Sequence, residues 1–354
     1  MADVFTTNVD GPGSSDVPLE RPVDVEGVSV TYFPSPMLRR LYWAPAMQRA
    51  LRARIADYDL VHIHAIYLWP TAMAARVARK HGLPYIVSPR GMLVPELIRR
   101  KNRWVKEAWL RLVDRSTLEH AAAIHTTSAI EAHHVASFGW SLRRIVTVSH
   151  GVDDPPAFCG QPLSPDISAA IAGPQPVLAF GRISWEKGLD RLLEALPRVP
   201  DVRLIIAGDD AGHAAALAEK ARLFRVDKRV TIIARQVGGA DKEALFAAAA
   251  VFAMTSLSEN FGLAAFEAMR RSLPVLTVPD VGMAEIVREA RAGAVVAPSP
   301  EGIAEGLEAL LSDKAASREM GRRGRDRVVA DYGWDAIASR MCAIYRSAIG
   351  NRPA

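Results

Sequence analysis

Short apolar runs that alternate with helical patterns constrain the fold of this chain more than any other feature. Runs at 177–180, 202–207, 230–234, 251–254, 274–278 and 294–297 are each followed by a segment of helical periodicity. An earlier set at 59–64, 84–88, 122–126 and 144–148 is separated by helical patterns near 70–81, 97–120 and 128–137. Strands that are short and apolar throughout are typical of parallel sheets covered by helices on both faces. Repeated βαβ units predict an α/β chain built on doubly wound parallel sheets. Between the two sets, positions 153–176 hold six prolines, which suits a linker. The predicted organisation is a domain at 1–155, a second at 156–333 and a C-terminal helix at 334–354. Two such domains facing each other would enclose a cleft at the carboxyl ends of their strands, where open α/β sheets bind ligands.

Composition narrows the class further. The chain has 354 residues, of which 49% are hydrophobic and 23% charged, enough apolar material for more than one core. The longest nearly uncharged stretch, 121–134, is interrupted by His125 and the polar Thr126, Thr127 and Ser128, so no membrane-spanning helix is expected. Cys159 and Cys342 lie far apart with no CxxC partner, which supports neither a disulfide framework nor a cysteine zinc site. No basic, apolar leader opens the chain, and a cytoplasmic location is expected.

Charge is unevenly placed. From Met37 to His120 there are sixteen Arg or Lys against six Asp or Glu. Much of that excess lies at 97–120, where Arg99, Arg100, Lys101, Arg103, Lys106, Arg111 and Arg115 are interleaved with Trp104, Trp109, Leu110, Leu112 and Val113. Apolar residues at 105, 109, 112 and 113 recur at helical spacing, which predicts a basic amphipathic helix. Such a helix either packs one face on its own domain or is drawn to an anionic membrane surface, with tryptophan at the interface. No helix-turn-helix or RNA-binding signature accompanies the charge, so nucleic acid is not expected as a partner.

Two constellations carry chemistry. The first, Gly181-Arg182-Ile183-Ser184-Trp185-Glu186-Lys187-Gly188, leaves a strand and opens a helix. Arg182 offers a planar fork for phosphate oxygens, Lys187 a point charge, and a helix start adds backbone donors. It is neither a Walker A nor a GxGxxG fingerprint, and a surface ion pair is the plain alternative. The second runs from Ser256 to Glu267, again from a strand end into a helix. Its entrance at Asn260, Phe261, Gly262 and Leu263 offers N–H groups to a diphosphate. Glu259 lies at the helix entrance, and Glu267, deeper in the helix, is suited to paired sugar hydroxyls, which donate to its carboxylate. The plain alternative is that Glu259 caps the helix and Glu267 is solvated.

Taken together, Gly-Arg-x-x-x-Glu-Lys-Gly and Ser-x-Ser-Glu-x-Phe-Gly-x-x-x-x-Glu resemble the GT-B glycosyltransferases of family 4, the retaining, metal-independent group with an E-x7-E motif, here Glu259 to Glu267. The resemblance continues through 59–64, through Ser88-Pro89-Arg90-Gly91-Met92-Leu93 and through Ser149-His150-Gly151-Val152-Asp153. The Ser-Pro-Arg-Gly-Met-Leu element is similar to the branch that builds exopolysaccharide and lipopolysaccharide units. The resemblance implies two Rossmann-like domains and a hexose donor in the form of a nucleoside diphosphate sugar, with no metal and no further cofactor. It also implies a saccharide or lipid-linked acceptor. Arg182 and Lys187 would neutralise the diphosphate, Glu267 would hold the ribose, and Glu259 would contact the donor sugar. Gly181 would admit the donor, and 260–263 would bind it through backbone N–H groups. The tail helix would cross back to the N-terminal domain.

In the N-terminal half, His64 and Arg90 are the candidates. Arg90 stands where many relatives have a histidine. A guanidinium stays charged and cannot act as a base, so Arg90 would bind acceptor or donor oxygens. His64 is alternatively a structural histidine. The resemblance begins at the family's second strand, 4–7, and the glycine-rich loop expected before it is absent. The rival expectation is therefore a truncated, non-catalytic relative that binds nucleotide or a partner transferase.

Overall fold

The computed structural model describes residues 2–100, 103–156 and 161–350. Lys101, in the basic segment, and Cys159 lie outside them. The chain divides into two units, one of residues up to Val148 together with those from Arg340 on, the other Ser149–Ser339.

In the first unit β1 (Asp3–Thr7) is followed by a small hairpin, β2 (Val9–Asp10) with β3 (Gly13–Ser14), then by β4 (Pro22–Val25) and β5 (Val28–Phe33). Strands β1, β5 and β4 form one sheet, with β1 parallel to β5 and β4 antiparallel to it. Strands β6 (Val61–His64), β7 (Tyr85–Ser88), β8 (Ala123–Thr126) and β9 (Ile145–Thr147) form a separate parallel sheet in chain order. Among the described residues no ladder joins β1 to β6, although Phe33, Ile63, Val87 and Ile124 share one core. Strands β4 and β5 lie in a stretch to which the sequence reading assigns no element. Alternation in Val28-Ser-Val-Thr-Tyr-Phe is the signal that marks them.

The second unit is a six-stranded, all-parallel sheet of β10 (Val177–Phe180), β11 (Leu204–Ala207), β12 (Val230–Ile233), β13 (Val251–Met254), β14 (Val275–Thr277) and β15 (Gly293–Val295). Its order is β12-β11-β10-β13-β14-β15. Alternate residues enter opposite cores. Leu178, Ile205 and Phe252 pack with Phe246, Phe266 and Val328 on one face; Val177, Leu204 and Val251 pack with Leu192, Leu217 and Leu307 on the other. Both faces being buried explains why these strands read as continuous apolar runs. Each fully buried aliphatic side chain contributes about 1.5–3 kcal/mol. The proline-rich stretch is not wholly linker: Pro165–Ile171 is helical, and Ile167 and Ala170 are buried in the core that holds Phe246 and Phe252.

The basic segment departs from a single amphipathic helix. It comprises Pro95–Arg100, Arg103–Trp109, a wide π turn at Leu110–Asp114, and Arg115–Glu119. The extra residue of the π turn shifts the register, so Leu110, Asp114, Thr117 and Leu118 are buried. Trp104, Val105 and Leu112 instead stand 78%, 71% and 82% exposed, a correction to the inward stripe expected from 105 and 112. No helix among the described residues is long and apolar enough to cross a membrane.

Asp114, turned inward by the π turn, accepts a hydrogen bond from the Tyr67 backbone N–H at 2.9 Å and so holds a loop in which Ala65 and Tyr67 adopt left-handed φ of 70° and 61°. Burial pushes the Asp114 carboxyl up from 3.8 to about 6. A raised acid contributes stability that is fully present below its unfolded value and lost as pH rises through its folded one, here roughly 2 kcal/mol between pH 4 and 7. Asp114→Asn cannot ionise, so its stability relative to the parent chain should rise by about that amount over the interval. Urea denaturation at the two pH values measures it; a difference independent of pH would refute the assignment.

Candidate functional site

The order β12-β11-β10-β13-β14-β15 reverses direction between β10 and β13. Helices leave opposite faces of the sheet there, and the diverging loops open a crevice at the carboxyl ends of the strands. Both sequence constellations lie on those two loops: Gly181 to Gly188 follows β10, and Thr255 to Gly262 follows β13.

The loops are stitched to each other. Thr255 Oγ1 donates to the Gly188 carbonyl at 3.0 Å, and the Leu257 N–H donates to the Glu186 carbonyl at 2.8 Å. Gly188 has φ 59°, and a Cβ there would stand 2.2 Å from the Thr255 oxygen, so only glycine permits the approach. One short turn later in space, Lys187 forms an ion pair with Glu259, both side chains mostly shielded. Lys187 and the exposed Arg182 line a pocket with Phe180, Gly181, Thr255 and Ser256. The buried Ser256 hydroxyl has no hydrogen-bond partner among the described residues.

Gly262, with φ 87°, precedes the helix Leu263–Arg270. The first-turn N–H groups of that helix have no intrahelical acceptor and carry the positive end of its dipole. Phe261 is placed differently from its expected role. Its ring is 5% exposed, stacked 4.3 Å from Phe266 and edge-on to His150 at 5.3 Å, so its side chain belongs to the core. Only its backbone remains for a ligand. Asn260 is half-buried and Leu263 is 45% exposed.

Glu267 is not a solvated helix residue. It receives a hydrogen bond from Lys242 Nζ at 2.7 Å, and that ammonium lies 5.6 Å from the Phe180 ring centroid, within cation–π range. Lys242 is a functional candidate that sequence reasoning misses, because nothing in its neighbourhood distinguishes it from a solvated helix lysine. Asp210 caps the following helix by accepting the N–H groups of Gly212, His213 and Ala214, which is a structural duty.

In the first unit, His64 ends β6 and Arg90 follows β7. Arg90 donates to His64 Nδ1 from Nε at 3.2 Å and from Nη2 at 2.9 Å. The Arg90 backbone is left-handed, φ 56°, and the next N–H, of Gly91, donates to Glu131 Oε1 at 2.6 Å. Glu131, 1% exposed, also accepts from Thr127 N–H and Oγ1 through its other oxygen. Sequence reasoning misses Glu131, although Ser128-Ala-Ile-Glu131 carries a capping-box signal and Ser128 does cap the helix Ala129–Ala136. Beneath lie His62, whose ring is 4.2 Å from that of His64 and whose Nδ1 is 2.8 Å from Tyr345 Oη, and His125, bonded to the Val148 carbonyl at 2.8 Å. Burial, then the neighbouring His64, His125 and Arg90, pushes His62 down to about 2; burial also lowers His125. Both imidazoles are neutral at physiological pH.

Residues 1–151 match the family model of the glycosyl transferase 4-like domain, and residues 164–327 match that of the glycosyl transferases group 1. The chain is 28% identical over 301 residues to a glycogen synthase of Mycobacterium tuberculosis, covering 82% of this chain and 69% of that one. It is 27% identical over 352 residues to the GDP-mannose:cellobiosyl-diphosphopolyprenol alpha-mannosyltransferase of Komagataeibacter xylinus, covering 92% and 80%. The crystal structure of Anabaena HepE in complex with UDP and glucose superposes with a TM-score of 0.72 at 20% identity, covering 91% and 87%. The fold is thus the α/β GT-B fold, as the sequence resemblance implied.

Gly188→Ala should destabilise the second unit by about 2–4 kcal/mol, the sum of left-handed strain and a backbone clash. It should also separate the two loops, seen as a lowered Tm together with lost hydrogen-exchange protection at Leu257. An unchanged Tm would show that the loops are not held by this approach.

Proposed function

We propose that this chain, in which a glycosyl transferase 4-like domain precedes a glycosyl transferases group 1 domain, moves a hexose with retention from a nucleoside diphosphate sugar to a glycan or lipid-linked saccharide in cell-surface polysaccharide synthesis. The observation that carries this reading is the meeting of Arg182, Lys187 and Glu259 at the strand-order reversal of the second unit, on loops locked together by Gly188 and Thr255. Departure of the nucleoside diphosphate builds negative charge on the leaving phosphate as an oxocarbenium-like sugar forms. Arg182, Lys187 and the N–H groups at the start of Leu263–Arg270 are fixed positive charge for that oxygen and lower the barrier without reorganising. Glu267 takes the ribose hydroxyls, with Lys242 holding its carboxylate, and Glu259 takes a donor-sugar hydroxyl while orienting Lys187. No protein nucleophile is assigned; attack on the same face as the leaving phosphate accounts for retention. The names of the relatives support the substrate classes, a nucleotide sugar as donor and a diphosphopolyprenol-linked saccharide as acceptor.

The exposed face of the broken basic helix supports a cytoplasmic enzyme on the inner surface of a membrane. Trp104, Val105, Leu112 and Arg111 are all exposed, while Arg103 and Arg115 are tied to Glu107 and Glu119 at 2.7 and 2.9 Å. An anionic lipid surface matches that pattern, at about 1 kcal/mol per basic residue plus tryptophan insertion. Cosedimentation with phosphatidylglycerol vesicles should fall several-fold in a Trp104→Ala, Leu112→Ala double variant and in 0.5 M salt. Equal binding to neutral vesicles, or binding insensitive to both changes, would remove the membrane from the reading.

A second reading, donor binding without turnover, is favoured by the separation of the first unit's strands into two sheets. A screen of UDP, GDP and ADP sugars, read by nucleoside diphosphate release, decides between them. For the enzyme, Lys187→Ala and Glu259→Ala should each lower kcat/KM by at least about 100-fold, some 2.7 kcal/mol or more, in a protein with unchanged circular dichroism. Retained activity in both variants would overturn the site assignment. Calorimetric binding of a donor that is never turned over would establish the second reading.

A further inference from the structure

We propose that His64 carries its proton on Nε2 and acts as a hydrogen-bond donor to a substrate oxygen, with no capacity to accept a proton from the attacking hydroxyl. The inference rests on the transferase reading of the site for its substrate and on geometry alone for its proton. A guanidinium has donors only and stays charged. Two of its donors, Arg90 Nε and Nη2, converge on His64 Nδ1 at 3.2 and 2.9 Å, so Nδ1 is the nitrogen with the lone pair. A neutral imidazole has one such nitrogen, and the other carries the proton. A general base needs its lone pair aimed at the proton it removes, and the only lone pair of His64 is committed to Arg90.

Arg90 cannot easily yield that position. Its left-handed backbone is held by the bond from Gly91 N–H to Glu131, and Glu131 is fixed in turn by Thr127 and buried. Protonating His64 at Nδ1 would set an N–H against two guanidinium donors, with the neutral His62 ring tilted against it at 4.2 Å and unable to disperse the charge. Glu131, the carboxylate beside Arg90, is occupied by three hydrogen-bond donors. Glu131 is therefore a positioning residue: it sets Arg90, and Arg90 sets the tautomer of His64. The ligand such a donor serves is an oxygen bearing lone pairs, a sugar hydroxyl or a phosphate oxygen.

Long-range proton–nitrogen correlation spectra of the full chain labelled with 15N-histidine test this directly, His64 being assigned by the signals that vanish in His64→Gln. At pH 7.5 the expected pattern is a protonated Nε2 and a bare Nδ1. In Arg90→Met the pattern should become a mixture of tautomers. A protonated Nδ1 in the parent chain overturns the proposal. Turnover supplies the second arm. Glutamine can place an amide N–H near the position of Nε2 but cannot act as a base, so His64→Gln should retain at least about tenfold more turnover than His64→Ala; equal losses overturn the donor role. Failure of the transferase reading would show separately, as absent turnover in the parent chain, while the tautomer spectrum still decides the proton's place.

Discussion

The second unit depends on one constraint: a parallel sheet buried on both faces must send its connecting helices to opposite sides of β10. Every other feature of the candidate donor site follows from that reversal. It places the ends of β10 and β13 side by side, so that the two loops leaving them can touch. It also requires one of those loops to give up a side chain where they touch, and Gly188 is that position. Lys187 and Glu259 are then partners because they flank the contact, although 72 positions separate them in sequence.

The first unit reaches a comparable rigidity by a different route. A buried carboxylate organises its loops. Glu131 accepts the N–H of Gly91 across the unit as well as the N–H and hydroxyl of Thr127 beside it. Burying a carboxylate is expensive unless its oxygens are satisfied, and three donors satisfy this one. Asp114 plays a weaker version of the same part. It accepts a hydrogen bond from the Tyr67 N–H, and burial raises its proton affinity.

What could be read from sequence tracks the physics of each signal. Strands β10 and β13 were legible to the residue because two-sided burial leaves no polar interruption. Strands β4 and β5 carry a weaker signal, a short alternation set among glycines and prolines. The basic helix misled for a definite reason. Periodicity assumes 3.6 residues per turn, and a π turn at Leu110–Asp114 inserts a residue that moves Leu110 and Leu118 inward and leaves Val105 and Leu112 outside. At the site, Arg182, Lys187 and Glu259 were legible because their loops abut strand ends, whereas Lys242 and Glu131 act through partners far away in sequence. A capping box announces a helix start, and it is silent about a second oxygen reaching another loop.

The two carboxylates of the E-x7-E spacing also differ from what spacing suggests. They do not present one shared acid surface from a single helix: Glu259 is held by Lys187 from the loop after β10, and Glu267 by Lys242 from the helix Gly239–Ala248. Each carboxylate is therefore desolvated and paired before any ligand arrives, and the cost of bringing it out of water is met in folding. A ligand hydroxyl that bonds to the outer lone pairs of such a pair need not displace water from a free anion. The same pairing means that removing Lys187 leaves Glu259 shielded without its counter-charge, so the two side chains act as one unit and their separate losses will not sum. The candidate site of the second unit is in this sense preorganised electrostatically, by two ion pairs and a helix start set around one reversal in strand order.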